Sequence, residues 1–503
     1  MSMVHRLEVE ERRFSTTTRL FDSFHRQDAR YCHFKSNAHV GAGLEGLTDL
    51  DVLVDAQHAG VVEPILAEHG FRRFRAHPSR RYAGVEDYLG VDEQTGRLLH
   101  LHLHYRLIVG ERFFKNYHLA WERDFLDARV LDESARVYVA DPALEWLLLV
   151  CRSALKLRWR DRAIRRLAPR RGESGALQSE HSWLAARVDP AAPAEHAARL
   201  LGDDAADLVR HALGDDLSFR RLKPLRRELR HNQKVFWAYG RVAALSIRWS
   251  RELRGVAGAV NRRYLRRAFP YSRSAPAGGT IVAVIGSDGA GKSSVSGLIY
   301  SWLRPKVDVV PIYLGSGDGQ ASLLRRPLKL VLDLKQRRSA PSHLDPEARR
   351  SRDVSLARAL WALVLAREKQ TKLLRAARAR ERGLIVVCDR YPQTQVDGVS
   401  DGPLLWRWRS APSGVKRALA RWEDGIYRLA ESVAPDVVVR LLVTPETAAA
   451  RRPGDDPREL AFRTQLIKNL RFDNARCGVL DIDADADLET VVLEVKQRLW
   501  PVL

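Results

Sequence analysis

In the stretch "TIVAVIGSDGAGKSSVSGLIYSWL" (Thr280–Leu303), Gly286, Gly291, Lys292 and Ser293 fall at the spacing G-x-x-x-x-G-K-[ST]. The pattern follows a run of β-branched and apolar residues and opens a segment of helical spacing, so it predicts a tight turn between a strand and a helix. Glycines at such a turn let backbone N–H groups point inward around a phosphate, and the helix start adds partial positive charge. Lys292 would then reach phosphate oxygens, and the Ser293 hydroxyl would complete a Mg²⁺ coordination shell. A second set lies near the N-terminus. Asp49 and Asp51, in "TDLDVLVD", are two residues apart, so both project from one face of a strand and could share a divalent ion. "LLHLHLHYRLIV" (Leu98–Val109) alternates strictly and puts His100, His102 and His104 on one face, a donor set that would suit Zn²⁺ or Mn²⁺.

These residues need a scaffold, and 503 residues at 45% hydrophobic content suffice for roughly three cored domains. Residues 1–140 alternate strand-like and helical patterns and read as α+β. From 141 to 275 the pattern is helical, beginning "DPALEWLLLV" with Asp141 at an N-cap and Pro142 at the first helical position. "FPYSRSAPAGG" (Phe269–Gly279) is a Pro/Gly/Ser hinge, and residues 279–503 form the last domain. There, expected strands at Ile281–Ile285, Val307–Tyr313, Leu384–Cys388, Asp436–Val443 and Val479–Ile482 alternate with helical segments. Strands apolar along their whole length point to a doubly wound parallel sheet whose ligands bind at the strands' carboxyl ends.

Charge and cysteine usage narrow the classes. The net charge of +22 is concentrated in residues 220–273, which hold sixteen Lys/Arg against Glu228 and Glu252. Such a block would attract nucleic acid or an anionic surface, or would simply be solvated helix faces. Its aromatics Trp237, Tyr239, Trp249 and Tyr264 fit stacking on single-stranded nucleic acid, insertion at a membrane interface, or core packing. Cys32, Cys151, Cys388 and Cys477 show no CxxC pairing, so reduced structural thiols are expected. With no signal-peptide pattern and no charge-free apolar run of about 18 residues, a cytoplasmic location is expected.

The C-terminal region resembles thymidylate kinases. "GSDGAGKSS" is similar to that family's phosphate loop, with an acidic residue at Asp288 and no arginine inside the loop. "RERGLIVVCDRYPQT" (Arg380–Thr394) is similar to its Asp-Arg-Tyr motif, "LLVTPETAAARRPGDDPREL" (Leu441–Leu460) to its Pro-Glu segment and arginine-bearing lid, and "VLDIDADADLETVVLEVKQRL" to its closing strand and helix. The resemblance implies a P-loop kinase using ATP and Mg²⁺. Its nucleotide would be bound by Gly286, Asp288, Gly289, Gly291, Lys292, Ser293, Ser294 and Arg451. Ser293 and Asp389 would serve the metal, Arg390 the acceptor's phosphate, and Arg458 or Arg463 would act as the catalytic lid arginine, with Lys292, Asp389 and Arg390 completing the catalytic set. "IYLGSGDGQASLLRRP" and "QVDGVSDGP" depart from the family where it seats its acceptor. A nucleoside monophosphate is the favoured acceptor; a sugar or other small acceptor, or an ATP-gated protein acting on nucleic acid or a partner, remains open.

"FKSNAHVGAGLEGLTDLDVLVD" (Phe34–Asp55) resembles the nucleotidyltransferase superfamily, in which a small-residue turn precedes an Asp-x-Asp strand. That implies Asp49 and Asp51 as metal ligands. The usual Gly-Ser of the turn is Lys35-Ser36 here, and the neighbouring strand offers histidines instead of a third carboxylate. An altered transfer site, a binding domain without chemistry, and a purely structural role are the three readings.

Overall fold

The computed structural model describes residues 15–111, 114–156, 173–212, 217, 219–231, 234–265, 268–315, 354–473, 475–476 and 478–503. Cys477, the end of the expected helix beyond residue 156, and residues 316–327 of "IYLGSGDGQASLLRRP" lie outside them. The chain divides into two compact units, Met1–Leu265 and Arg266–Leu503.

In the first unit, strands β1 (Tyr31–His33), β2 (Leu50–Val54), β3 (Arg72–Ala76), β4 (Val85–Val91), β5 (Leu98–His104), β8 (Val130–Asp132) and β9 (Val137–Val139) form a mixed sheet in the order β3-β4-β5-β2-β1-β9-β8, while β6 (Leu107–Glu111) and β7 (Phe114–Leu119) form a separate hairpin. Alternation explains which face is covered. Leu99, Leu101 and Leu103 of β5 share a core with Phe21 and Phe24 of helix α1 (Thr16–Arg26) and Val62 and Ile65 of α2 (Ala59–Glu68). His100, His102 and His104 therefore project to the opposite face. There β2 runs parallel to β5 with Asp51 opposite His102, and β4 runs antiparallel to β5 with Asp87 opposite the same histidine. The single strand expected over Leu98–Val109 is two: Ile108 N–H bonds back to Arg106 C=O at 3.0 Å, so the chain turns and alternation restarts in the hairpin.

Helix α3 (Pro142–Lys156) starts as the sequence predicts, with Asp141 Oδ1 accepting from the N–H groups of Ala143 (3.0 Å) and Leu144 (3.1 Å). It is buried along nearly its whole length and shares a core with Leu222, Leu225 and Leu229 of α4 (Phe219–His231). The basic segment's aromatics separate. Trp237 packs against this core, whereas Trp249 of α5 (Arg241–Val260) is 57% exposed and Tyr264 70% exposed. Trp249 stands in an exposed row with Val242, Leu245, Leu253 and Val256. Among the described residues, no helix is long and apolar enough to cross a membrane.

In the second unit a two-residue strand β10 (Arg273–Ser274) precedes β11 (Ile281–Gly286), β12 (Val309–Tyr313), β13 (Ile385–Asp389), β14 (Val437–Leu442) and β15 (Val479–Asp483). The last five form an entirely parallel sheet in the order β12-β13-β11-β14-β15, each strand within the span the apolar runs predict to within one or two residues. Ile281 to Val284 are all fully buried, so both faces of the central strand are covered. Ile281, Ala283 and Ile285 share a core with Leu373 and Ala376 of α7 (Leu356–Glu381), Ala430 and Val433 of α8 (Gly414–Val433), and Leu466 and Ile467 of α10 (Pro457–Asn469). Helices α6 (Lys292–Leu303) and α11 (Leu488–Leu499) pack on each other, α6 against β11 and β13 and α11 against β15. The short helix α9 (Pro445–Arg451) follows β14.

The buried Asp436 carboxylate fixes where the central strand starts: Oδ2 accepts the Ile281 N–H at 2.7 Å, and Oδ1 lies 3.5 Å from both Arg380 Nη1 and Arg476 Nε. Losing a hydrogen bond to a buried charged group costs about 1.5–3 kcal/mol. Asp436→Ala should lower the free energy of the second unit's unfolding in urea by that amount, as a lower midpoint at an unchanged slope; an unchanged midpoint would mean that Asp436 does not hold this sheet.

Candidate phosphate-binding site

β11 ends at Gly286, and the loop Ser287–Gly291 leads into α6 at Lys292. Glycine is required both at the end of the strand and within the loop. A Cβ on Gly286 would meet Leu441 C=O at 3.1 Å, and Gly289 adopts φ +88° with Ala448 C=O 3.0 Å from where a Cβ would stand. The Lys292 ammonium folds back into the loop, donating to Ser287 C=O at 2.6 Å and lying 3.6 Å from Asp288 Oδ1. Burial, and then the neighbouring Arg390, push its pKa down to about 8 against the pull of Asp288, Asp401 and Asp389. Ser294 is exposed on the first turn of α6.

The parallel register sets Val284 opposite Asp389, so β13 delivers Asp389 to the mouth of the loop. Ser293 Oγ donates to Asp389 Oδ2 at 2.7 Å, while Asp389 Oδ1 is buried without a hydrogen-bond partner among the described residues. Arg390 follows at φ +70°, a left-handed conformation that costs a non-glycine residue about 1–3 kcal/mol. Its N–H is held by Val284 C=O at 3.0 Å, and its guanidinium reaches Asp288 Oδ1 at 3.1 Å and Asp401 Oδ2 at 3.5 Å.

Asp288 is thus a junction. Lys292, Arg390 and Arg463 all converge on it, the last from α10 through an ion pair with Oδ2. Burial works against its charged form, yet the three cations outweigh it and hold its pKa at about 2. The other arginines expected in a lid lie elsewhere. Arg451 donates to Ala484 C=O at 2.9 Å and more weakly to Gly289 C=O at 3.4 Å. Arg452 is exposed, and Arg458 is exposed and contributes its backbone N–H to the Asp456 cap of α10.

A cleft of about 870 Å³, open mouth included, extends from the loop past Arg390 and Arg463 to an apolar wall of Leu365, Leu404, Ile467, Leu470 and Phe472. Three of its features escape the sequence reading. Asp401 (φ +66°) and Ser400 (φ +46°) form a left-handed corner facing Arg390. Lys369 is buried, donating to Tyr427 Oη at 3.0 Å and Asp401 C=O at 3.3 Å, and burial lowers its pKa. Glu423, also buried, accepts the N–H groups of Leu404 (3.1 Å) and Leu405 (2.7 Å) and so ties down the loop that closes the cleft. A signal for Lys369 exists: it lies four residues from both Leu365 and Leu373, on an otherwise apolar helix face.

The first unit gathers the other set. Lys35 Nζ lies 2.8 Å from Asp51 Oδ1, His102 Nδ1 3.2 Å and His104 Nε2 3.4 Å from the same oxygen. Burial opposes the Asp51 charge, but Lys35 and the two histidines hold its pKa well below the ordinary carboxylate range. Asp49 lies at 3.0 Å from His100 Nδ1, and Asp87, which the sequence reading did not single out, at 3.0 Å from His100 Nε2.

No family model matches the chain. Two Escherichia coli K12 proteins are similar to part of it. The uncharacterized ATP-binding protein YghR is 26% identical over 224 residues, 44% of this chain and 86% of that protein. The ATP-binding protein YghS is 26% identical over 215 residues, 41% and 87% respectively. Among solved structures, deoxyadenosine kinase from M. mycoides with bound dATP covers 44% of this chain and 98% of its own, at 14% identity and a TM-score of 0.26. The second unit is a parallel-sheet α/β fold with a P-loop between its central strand and the helix that follows.

Because the Lys292 pKa lies near 8, the lysine loses its charge above that pH when no anion is present, and an anion must then restore the proton as it binds. Tripolyphosphate affinity should fall by up to about tenfold from pH 7 to pH 9, one pKa unit being tenfold. Lys292→Arg should abolish this fall; equal pH dependence of the two proteins, measured by calorimetric titration, would contradict it.

Proposed function

We propose that the second unit transfers the γ-phosphoryl group of Mg·ATP to a small phosphate-bearing acceptor, with a nucleoside monophosphate favoured. The observation that carries this reading is the convergence of Lys292, Arg390 and Arg463 at a strand-end loop beside the Ser293–Asp389 pair. Phosphoryl transfer asks for charge neutralisation and alignment more than for covalent chemistry, which is what such a constellation offers. The names of YghR and YghS support ATP as the donor.

The metal fits the residues present. Asp389 Oδ1 is a buried oxygen lacking a hydrogen-bond partner among the described residues, 2.7 Å separate Ser293 Oγ from Asp389 Oδ2, and hard oxygen donors suit Mg²⁺. When bound there, the ion would neutralise phosphate charge. The loop's backbone N–H groups and Lys292 bind and orient the donor's phosphates, with Gly286, Gly289 and Gly291 allowing the close approach. Arg390 is held in its strained conformation facing the cleft, where its planar fork can take an acceptor phosphate two oxygens at a time. Arg463 rather than Arg458 is the lid arginine in this reading, since its guanidinium already reaches the loop. The apolar wall excludes water from the reacting phosphates.

Removing one preorganised electrostatic contact costs about 10²–10³ in rate. Lys292→Ala and Arg463→Gln should each lower kcat by that factor, while Arg458→Gln should stay within about threefold of the parent. The assay is a radiolabelled-ATP panel of nucleoside monophosphates, sugars and DNA. Acceptor-independent hydrolysis stimulated by DNA would instead favour the ATP-gated alternative, and normal turnover in Lys292→Ala would refute the site.

A further inference from the structure

The first unit carries a cluster that the phosphotransfer reading does not use, and its geometry stands independently of that reading. Three neighbouring strands present their polar residues on one sheet face: Asp49 and Asp51 at and just before β2, His100 and His102 on β5, Asp87 on β4. Asp49 Oδ1 lies 3.0 Å from His100 Nδ1, and Asp49 Oδ2 lies 3.8 Å from His102 Nε2; one donor atom from each of the three residues falls within 4.8 Å of the others. An ion held at about 2.0–2.2 Å by two imidazoles and a carboxylate requires donors about 3–3.5 Å apart, so the three side chains need only small rotations to enclose one.

The far sides of both rings are also engaged by carboxylates. His100 Nε2 lies 3.0 Å from Asp87 Oδ1, and His102 Nδ1 lies 3.2 Å from Asp51 Oδ1; Asp87 Oδ1 is also 3.1 Å from His102 Nε2. A carboxylate behind each imidazole fixes its tautomer and raises its basicity toward a metal on the other nitrogen. Asp51 is meanwhile occupied by an internal cation, the Lys35 ammonium at 2.8 Å. That contact disfavours a second ion between Asp51 and His104.

We propose that Asp49, His100 and His102 hold a single divalent first-row transition ion, with Asp87 and Asp51 orienting the two imidazoles and Lys35 standing where a second ion would otherwise sit. Two nitrogens and one carboxylate select ions such as Zn²⁺ or Co²⁺ over Mg²⁺, which takes oxygen donors. Three protein ligands among the described residues match the ligand count of a catalytic centre rather than the four of a structural one.

The test uses the full chain without a polyhistidine tag, stripped with a chelator and titrated with Co²⁺ and Zn²⁺. One equivalent should bind, with a visible cobalt spectrum, and about 100-fold excess Mg²⁺ should not displace it. Asp87→Asn should weaken binding by about 10–100-fold, the range for an orienting partner. Asp49→Asn and His102→Gln should weaken it at least as much, and His104→Gln should leave it within about threefold. Should His102→Gln fail to fold, Asp49→Asn decides alone, because Asp49 is partly exposed; its near-ultraviolet circular dichroism confirms the fold. Binding that survives Asp49→Asn, displacement by Mg²⁺, or no stoichiometric binding by the folded chain would overturn the proposal and leave a hydrogen-bonded histidine–carboxylate network.

Discussion

Three side-chain cations brought together in a half-buried cleft repel one another, and the Asp288 carboxylate is what permits Lys292, Arg390 and Arg463 to share it. Each comes from a different element: the first turn of α6, the residue after β13 and the middle of α10. A parallel sheet can supply this meeting point because the carboxyl ends of its strands open into one crevice. The carboxylate's strongly lowered pKa expresses how completely the cations dominate its surroundings. On the proposed function, a polyphosphate would find the positive charge already arranged, which is the condition under which electrostatic stabilisation is most effective.

Backbone strain falls at the same place. Arg390, Ser400 and Asp401 all adopt left-handed conformations, and all three line the cleft. Such conformations persist only where surrounding contacts over-determine them. For Arg390 the contacts are the Val284 carbonyl and two carboxylates; for the corner at Ser400 and Asp401 they are Lys369 and the Glu423-anchored loop. Lys369 and Glu423 are buried groups that hydrogen-bond to this corner and loop, Lys369 also to Tyr427, so the shape of the cleft depends on residues remote from the phosphate loop.

The parts of this arrangement readable from the sequence are those governed by local chemistry. A run of β-branched residues, a glycine-permitted turn and a helix start identify the phosphate loop, and a fully apolar strand ending in Asp389 identifies its partner. Asp401 and Glu423 are not legible, and Lys369 is legible only as a lone polar residue on an apolar helix face, because their roles arise from a corner 32 residues beyond α7's lysine and a helix further on, brought together only by packing. The first unit teaches the same lesson. Alternation puts three histidines on one face, but that Asp87 joins them follows from the antiparallel register of β4 on β5, which no local pattern encodes. The split of the expected Leu98–Val109 strand was hidden for the opposite reason: the apolar alternation runs straight across the turn at Arg106. The distinction between Arg458 and Arg463 is likewise a matter of helical phase at the start of α10, a boundary that motif spacing leaves uncertain by a turn.

The ion pair between Asp288 and Arg463 joins α10 to the phosphate loop, and everything above depends on it. A double-mutant cycle on urea unfolding, with Asp288→Asn, Arg463→Gln and the combined variant, measures that link without any ligand. The account predicts non-additivity of about 0.5–3 kcal/mol, the range for residues in direct contact. Additivity within about 0.3 kcal/mol would mean that the two side chains do not meet in solution and would contradict it.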